Sequence, residues 1–177
     1  MIKGLIVIHF FFVEILSLAC LIKWEWLSIS TQTIYHSLYF KIKEVELQFA
    51  IGECLSCIGA GQSSKVFKQY YNIKFDLKCP KADVMESLIQ KMTKEIVQSP
   101  LAMIRQSGII WLLSMVQFSG EHAVLKQEIK EIQKAFMKCL CDSDEITQDV
   151  ASRGKLFCFK FFVTIVNLLN SVHYGND

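Results

Sequence analysis

Apolar residues recur at helical spacing through the middle of this 177-residue chain, and this periodicity limits its fold more than any other feature. In the clearest stretch, apolar residues follow one another at intervals of 4, 3, 4 and 4: Leu125, Ile129, Ile132, Phe136 and Leu140. Such intervals place side chains on one face of an α-helix, whereas a half-buried strand needs alternation. Residues 41–154 contain further stretches of this kind and no strand pattern. We therefore predict an all-α fold.

Glycine, proline and capping residues mark the ends of five predicted helices. Glycine is common after a helix, whereas Ser or Asp followed three residues later by Glu is typical of a helix start. The predicted boundary signals are Gly59 and Gly61 after the first helix, Asp83 with Glu86 before the second, Ser99 and Pro100 before the third, Gly120 after it, and Asp142 with Glu145 before the fifth. Residues 60–82 lack a sustained period and are predicted to form a loop.

A repeat appears when the third predicted helix is aligned with the fifth. The segment "IRQSGI" at Ile104 matches "ITQDVA" at Ile146 in its isoleucine and in its glutamine, at an offset of 42 residues. A period near forty with two helices in each unit is typical of HEAT and armadillo repeats. We therefore expect antiparallel helix pairs stacked as a short HEAT-like α-solenoid. The small residues Ser107 and Gly108 would let a neighbouring helix approach closely.

Four stretches carry a closer resemblance: "VELQFAIGECLSCIGAGQSS", "IRQSGIIWLLSMV", "LKQEIKEIQKAFMKCL" and "SDEITQDVASRG". Together they resemble part of the large HEAT-repeat adaptor and scaffold proteins of the 26S proteasome, over about residues 41–154. The family has an alanine pair where Ser107 and Gly108 stand, and it continues with repeats where this chain reads "KLFCFKFF" after Gly154. The resemblance implies a fragment or truncated product of such a protein.

The resemblance implies that the chain acts as a tether and not as an enzyme. Proteins of this family would hold the core and regulatory particles of the proteasome together and link proteasomes to other cellular structures. The expected compartments are the cytoplasm and the nucleus, with association to endoplasmic reticulum and endosomes. The expected partner is a protein, the 26S proteasome, and the net charge of +2 argues against an obligate nucleic-acid binder.

Several residues are predicted to serve the repeat itself and not a chemical site. They are Pro100, Ile104, Arg105, Trp111, Leu112, Asp142 and Ile146. In a HEAT stack, an arginine early in the second helix of a repeat commonly meets an aspartate in the next repeat. We therefore predict that Arg105 pairs with Asp142 or Asp144, at a strength on the order of 1 kcal/mol if the pair is partly exposed.

The two ends of the chain differ in composition from its middle. Residues 1–40 are predicted to be a hydrophobic N-terminal segment of doubtful origin, and residues 155–177 a hydrophobic tail outside the resemblance. The stretch 5–22, "LIVIHFFFVEILSLACLI", follows Lys3 as in a signal peptide or short membrane anchor, although His9 and Glu14 interrupt it. It supports an alternative, in which the chain is a small membrane-anchored or secreted helical protein that uses 5–22 as its targeting segment.

No catalytic residue, cofactor site or metal site is predicted. Cys54 and Cys57 have the spacing of a redox or zinc pair, but no second pair accompanies them and small buried cysteines are common on helices. The segment "GAGQSSK" lacks the glycine and lysine spacing of a phosphate loop, and Ser152 with Lys155 lacks the companion motifs of acyl-transfer enzymes.

One charged feature remains, a line of lysines at intervals of four residues: Lys126, Lys130, Lys134 and Lys138. We call it the lysine line. A solvated helix face explains it in the simplest way, with Lys134 partly balanced by Glu131. It is also a candidate docking strip for an acidic partner surface, which a solenoid presents readily.

Overall fold

The computed structural model describes residues 44–63, 68–69 and 82–173 of the chain. Its helices are α1 (Val45–Ala60), α2 (Ala82–Lys91), α3 (Ala102–Ser119), α4 (Ala123–Gln127), α5 (Ile129–Cys139) and α6 (Glu145–His173). One turn of π-helix, Met92–Ile96, extends α2. No β-strand occurs in these described ranges, which confirms the all-α prediction. The N-terminal segment 1–40, including 5–22, and most of the predicted loop 60–82 lie outside the described residues.

The helices form two layers that repeat along the chain. Helices α1, α3 and α6 pack side by side, with α3 in the middle in contact with both neighbours. Helix α2 with its π turn, and then α4 with α5, pack against this row as a second layer. This arrangement is that of stacked helix pairs, so the predicted HEAT-like solenoid is confirmed.

Helix α3 is the centre of the core. Every residue from Ser107 to Val116 is buried, because neighbours cover the helix on both sides. A helix that is apolar all round is stable only in such a position. Its buried serines donate hydrogen bonds to carbonyls of their own helix, Ser107 to Met103 (3.0 Å) and Ser114 to Ile110 (3.0 Å). The polar groups are therefore satisfied without a break in the apolar packing.

Three glycines permit the closest helix contacts. A Cβ atom on Gly52 would lie 2.5 Å from Oγ of Ser114 and 3.0 Å from Cα of Trp111 in α3. A Cβ atom on Gly108 would meet Ile96 of the π turn, and one on Gly154 would meet the ring of Phe136. The expectation that Gly108 lies at a close approach is thus confirmed. The roles of Gly52 and Gly154 were not predicted, because a lone glycine in a helical pattern does not say which neighbour it faces.

Some predicted helix boundaries are wrong in detail. The predicted fourth helix is two helices, since Glu128 has φ −87° and ψ 4° and separates α4 from α5. The apolar spacing did not reveal the break because Leu125 in α4 and Ile132 and Phe136 in α5 are all buried in one core. The single non-helical residue between α4 and α5 does not change which apolar side chains face the core.

The third and first helices also begin or end elsewhere than predicted. Pro100 is not the first residue of α3, which begins at Ala102 after an extended Leu101. Ser99 caps no helical N–H and instead accepts a hydrogen bond from the amide of Leu101 (3.3 Å). Gly59 lies inside α1, and Gly61 ends it with a φ of 68°, a conformation that glycine adopts without strain.

Helix α2 begins slightly before its predicted start, and helix α6, for which no end was predicted, runs well beyond Val150. Helix α2 begins at Ala82, so Asp83 is not its N-cap, and Glu86 accepts a hydrogen bond from Gln90 (2.9 Å). Helix α6 continues without interruption from Glu145 to His173, across the predicted domain boundary at 154, and Cys158 beyond it is buried in the core. Within the described part of the chain, no helix is both long and apolar enough to cross a membrane.

The central position of α3 leads to a stability prediction. We expect Trp111→Ala to lower the free energy of unfolding by about 3–5 kcal/mol, because the indole is fully buried and its loss leaves a cavity. Phe118→Ala on the same helix is the matched control. Its ring is 38% exposed, so we expect a cost below about 2 kcal/mol. Urea unfolding followed by circular dichroism measures both, and equal costs would contradict the central role of α3.

Candidate partner-binding surface and the turns that support it

Arg105 joins two successive turns of the stack. Its Nε donates to Oδ2 of Asp142 (2.7 Å) and its Nη2 donates to Oδ1 (3.0 Å), which makes a bidentate ion pair. Its Nη1 donates to the carbonyls of Ser99 (3.0 Å) and Pro100 (2.9 Å) in the turn before α3. The predicted pairing of Arg105 with Asp142 is confirmed. We call this set of contacts the arginine latch.

The second aspartate of the turn has a different role from the one predicted. Asp144, and not Asp142, caps α6: its Oδ2 accepts from the amide of Thr147 (2.8 Å) and from the Thr147 hydroxyl (2.7 Å). Gln106 of α3 donates to the same carboxylate (3.0 Å). The predicted capping box of Asp142 with Glu145 is therefore wrong. The spacing of three residues between Asp142 and Glu145 fits a capping box, but Arg105 occupies the carboxylate of Asp142.

The charges of the latch stabilise one another. A hydrogen bond from Arg105 holds the pKa of Asp142 below its usual value, and the same bond raises the pKa of Arg105. Burial tends to raise the pKa of Asp144, but hydrogen bonds from Thr147 and Gln106 outweigh it, so the net pKa is lowered. Both carboxyl groups therefore stay ionised and accept hydrogen bonds at neutral pH.

A second set of polar contacts supports the same two turns. Gln98 donates from Nε2 to the carbonyl of Thr93 in the π turn (2.9 Å), and its Oε1 accepts a hydrogen bond from Lys138 at the end of α5. Gln148 of α6 donates to the carbonyl of Asp142. Gln98 was not predicted, since no local motif marks a glutamine whose partners lie five and forty residues away.

The lysine line lies on α4 and α5, and its members differ in their contacts. Lys126 pairs with Glu121 (3.0 Å), Lys134 pairs with Glu131 (2.6 Å) as predicted, and Lys138 is bound to Gln98. Lys130 is exposed, and no ion pair involving it occurs among the described residues. Because Glu128 separates the two helices, Lys126 lies on α4 and the other three lie on α5. Lys130 and Lys134 are thus the two exposed, neighbouring candidates within the lysine line.

The structure brings only some of the predicted repeat residues together. Pro100 lies beside Arg105 and Asp142 in the latch, and Ile104 packs at the edge of the core. Trp111 and Leu112 are fully buried in the middle of α3. Ile146, the counterpart of Ile104 in the next repeat unit, is exposed on α6. The isoleucine position that is partly buried in α3 is therefore exposed in α6.

The cysteines of the predicted pair lie on α1 and are buried. Burial raises the pKa of the Cys54 thiol well above its ordinary value, with smaller contributions from Cys57 and Glu53. Such a group is a thiol at neutral pH and not the thiolate that attacks or binds metal. In the described part of the chain, no group of three or more His, Cys, Asp or Glu side chains is placed to hold a metal ion.

The latch leads to a prediction with a pH dependence. We expect Asp142→Asn to cost about 2 kcal/mol at pH 7, because it breaks a bidentate pair whose carboxylate is only 6% exposed. Since folding lowers the pKa of Asp142, its stabilisation is complete above the unfolded value of about 4 and is lost as the pH falls through the folded value. The difference between wild type and variant should therefore shrink in acid, as measured by urea unfolding at neutral pH and at about pH 3.

Asp149→Asn provides the matched control for the latch. Asp149 pairs with Arg153 (2.7 Å) on the surface of α6, where both side chains are more than half exposed. Exposed pairs of this kind contribute about 0–1 kcal/mol, so the control should change stability little at either pH. A cost for Asp142→Asn no larger than that of the control would show that the latch does not stabilise the stack.

The amino-acid sequence of the chain is similar to those of three known proteins. The chain is 36% identical over 117 residues, 63% of its length, to the human "Proteasome adapter and scaffold protein ECM29". It is 29% identical over 143 residues, 74% of its length, to "Proteasome component ECM29" of Saccharomyces cerevisiae. A Schizosaccharomyces pombe protein, "Proteasome component ecm29", is 25% identical over 62% of the chain.

These relatives are far longer than the chain, which spans 6–8% of their length. No protein-family model matches the chain, and no solved structure matches it. The alignments with the three relatives, one from human and two from yeasts, cover 62–74% of the chain. Over that part, the chain is similar to short segments of a human protein named as a proteasome adapter and scaffold and of two yeast proteins named as proteasome components.

Proposed function

We propose that this chain is a non-enzymatic adaptor or scaffold fragment that binds the 26S proteasome. It would help to tether the core and regulatory particles or to link proteasomes to other cellular structures. The observation that carries the proposal is the 36% identity over 117 residues to a human protein named as a proteasome adapter and scaffold. The proposed compartments are the cytoplasm and the nucleus, as for a partner of proteasomes.

The architecture supports binding through surface. Solenoid repeats bind partners along extended faces, because each unit adds the same element to a continuous surface. Here the buried polar groups of the latch are committed to joining the turns, so they are not available to a substrate. The exposed side chains of α5 are free of this structural task, and Lys134 is 73% exposed.

We propose the lysine line as the contact, centred on Lys130 and Lys134. Two neighbouring positive charges one turn apart would attract an acidic surface. Lys130 is exposed and would not have to break an ion pair in order to bind. Lys134 would exchange Glu131 for a carboxylate of the partner. The binding should be weak and salt-sensitive, since exposed charges are screened and the chain holds a small part of a multivalent contact.

Capture of purified 26S proteasomes on the immobilised full chain tests the proposal. We expect capture by the wild type, a decrease at raised salt, and a decrease of about tenfold or more in the Lys130→Glu/Lys134→Glu variant. Charge reversal at both positions puts acid against acid and acts mainly on association. Both side chains are exposed, so circular dichroism should show an unchanged fold.

The matched control reverses two exposed lysines elsewhere, Lys94 in the π turn and Lys155 in α6. This Lys94→Glu/Lys155→Glu variant has the same net charge as the test variant, and it should keep its capture. Equal loss in both variants would mean that only net charge matters and would reject the lysine line. Failure of the folded wild type to capture proteasomes would reject the proposed function.

A further inference from the structure

The turn between the π turn and α3 has the sequence and the exposure of a protein-kinase substrate. Ser99 is followed by Pro100, and no other serine or threonine of the 177-residue chain precedes a proline. In the stretch 98–103 every residue except Ser99 is exposed, and Ser99 is half-buried. Proline-directed serine/threonine kinases select a proline directly after the acceptor, because proline has no N–H that must be satisfied in the kinase cleft.

The local structure leaves this serine accessible. Leu101, two residues after it, has extended backbone (φ −85°, ψ 119°), and its side chain is 58% exposed. The Ser99 hydroxyl accepts a hydrogen bond from the amide of Leu101 at 3.3 Å, which is long for a bond of this kind and therefore weak. Exposed turns between helices are where enzymes reach a folded chain, so Ser99 is a suitable acceptor in structure as well as in sequence.

Two cations from different helices reach the same turn. Nη1 of Arg105 donates to the carbonyl of Ser99 itself (3.0 Å) and to that of Pro100 (2.9 Å). Lys138, at the end of α5, donates to the side chain of Gln98, the residue before Ser99. Helix α3 begins three residues after Ser99 and has no acidic residue in its first turn. A phosphate on the Ser99 hydroxyl would therefore lie beside two cations and near the positive end of the α3 dipole.

The acidic groups around this turn are already bound to other partners. Asp142 accepts from Nε and Nη2 of Arg105, so it occupies a different edge of the guanidinium from the Nη1 that faces Ser99. Asp144 is held by the cap of α6. Glu95 of the π turn pairs with Lys91 (2.6 Å). A phosphate would thus replace carbonyl acceptors on Nη1, and it would not have to displace Asp142.

We propose that Ser99 is a phosphorylation site for a proline-directed kinase, and that Arg105 and Lys138 bind the phosphate and so fasten the turn before α3 to the end of α5. The kinase transfers the γ-phosphoryl group of ATP. The bond from Oγ of Ser99 to phosphorus forms, the bond from phosphorus to the β–γ bridging oxygen breaks, ADP leaves, and the hydroxyl proton passes to the catalytic base of the kinase.

The phosphate strengthens the turn because of the kind of bonds it accepts. Hydrogen bonds from a guanidinium or an ammonium group to a phosphate are stronger than those to the neutral carbonyl and amide oxygens that they replace. The modification therefore stabilises the link between two successive units of the stack. This inference stands apart from the proposed proteasome binding, because its tests involve no proteasome.

Incubation of the folded full chain with a purified proline-directed kinase and Mg-ATP, followed by mass spectrometry, tests the site. We expect one phosphate, on Ser99, and none in the Ser99→Ala variant. Pro100→Ala should lower the initial rate about tenfold or more, since it restores the N–H at that position. A peptide of residues 94–104 is the control for recognition by the kinase. Phosphorylation of the peptide with none on the full chain would overturn the site, and so would the absence of phosphate from both.

Titration of the phosphate by ³¹P NMR tests its partners. The second pKa of a free phosphoserine is about 6. Because Arg105 and Lys138 favour the dianion, this pKa should lie lower by about 0.5 or more in the folded phosphoprotein than in the same protein unfolded in urea. Lys138→Met should abolish part of the difference. The matched control is Lys130→Met, eight residues earlier on α5 and about 12 Å away along the helix, which should leave the difference unchanged.

Both lysines are exposed, so circular dichroism should show the wild-type fold in each variant. Urea unfolding then gives the effect on stability. Phosphorylation should raise the urea midpoint at neutral pH, and the gain should shrink at about pH 5, because a phosphate pKa that folding lowers loses its stabilisation as the pH falls through the folded value. A phosphate that titrates alike in the folded and unfolded protein, an equal shift in Lys138→Met and wild type, or a midpoint lowered by repulsion from Asp142 would each overturn the proposed contacts.

Discussion

The burial of α3 on both sides is the constraint on which the rest of the stack depends. A helix in this position loses contact with water from Ser107 to Val116, so the polar side chains of that stretch must be satisfied by hydrogen bonds, as Ser107 and Ser114 are within the helix. Its neighbours must also approach closely: Gly52 lets the backbone of α1 come close to that of α3 at Trp111, and Gly108 leaves room for the side chain of Ile96. Apolar composition alone would bury the helix, and the glycines determine how closely the layers pack.

The arginine latch solves a problem that this packing creates at the start of α3. The helix has no acidic residue in its first turn, and the positive end of its dipole lies close to the guanidinium of Arg105. Asp142 of the following unit supplies the missing negative charge. The two carbonyls of the turn before α3 take up the remaining donors of Arg105. One side chain thus joins the turn before α3 to the turn before α6, so the later of these two units stabilises the one before it.

Features that depend on local periodicity could be predicted from the sequence, and features that depend on competition between partners could not. The buried face of Leu125, Ile132 and Phe136 and the pairing of Arg105 with Asp142 follow from spacing and from the repeat. The break at Glu128 and the π turn leave that spacing almost unchanged, so the pattern does not show them. Asp144 and not Asp142 caps α6, because the carboxylate of Asp142 is bound to Arg105.

The repeat explains why the outer side of α6 differs from that of α3. At the position of Arg105, 42 residues later, stands Thr147, which donates to Asp144 of its own cap. A hydroxyl on so short a side chain reaches no further than its own turn, so α6 has no latch of the kind that holds α3 to the next unit. A surface that packs on α6 must therefore be held by side chains along the helix, where Ile146 and Leu156 are exposed and Asp149 pairs with Arg153.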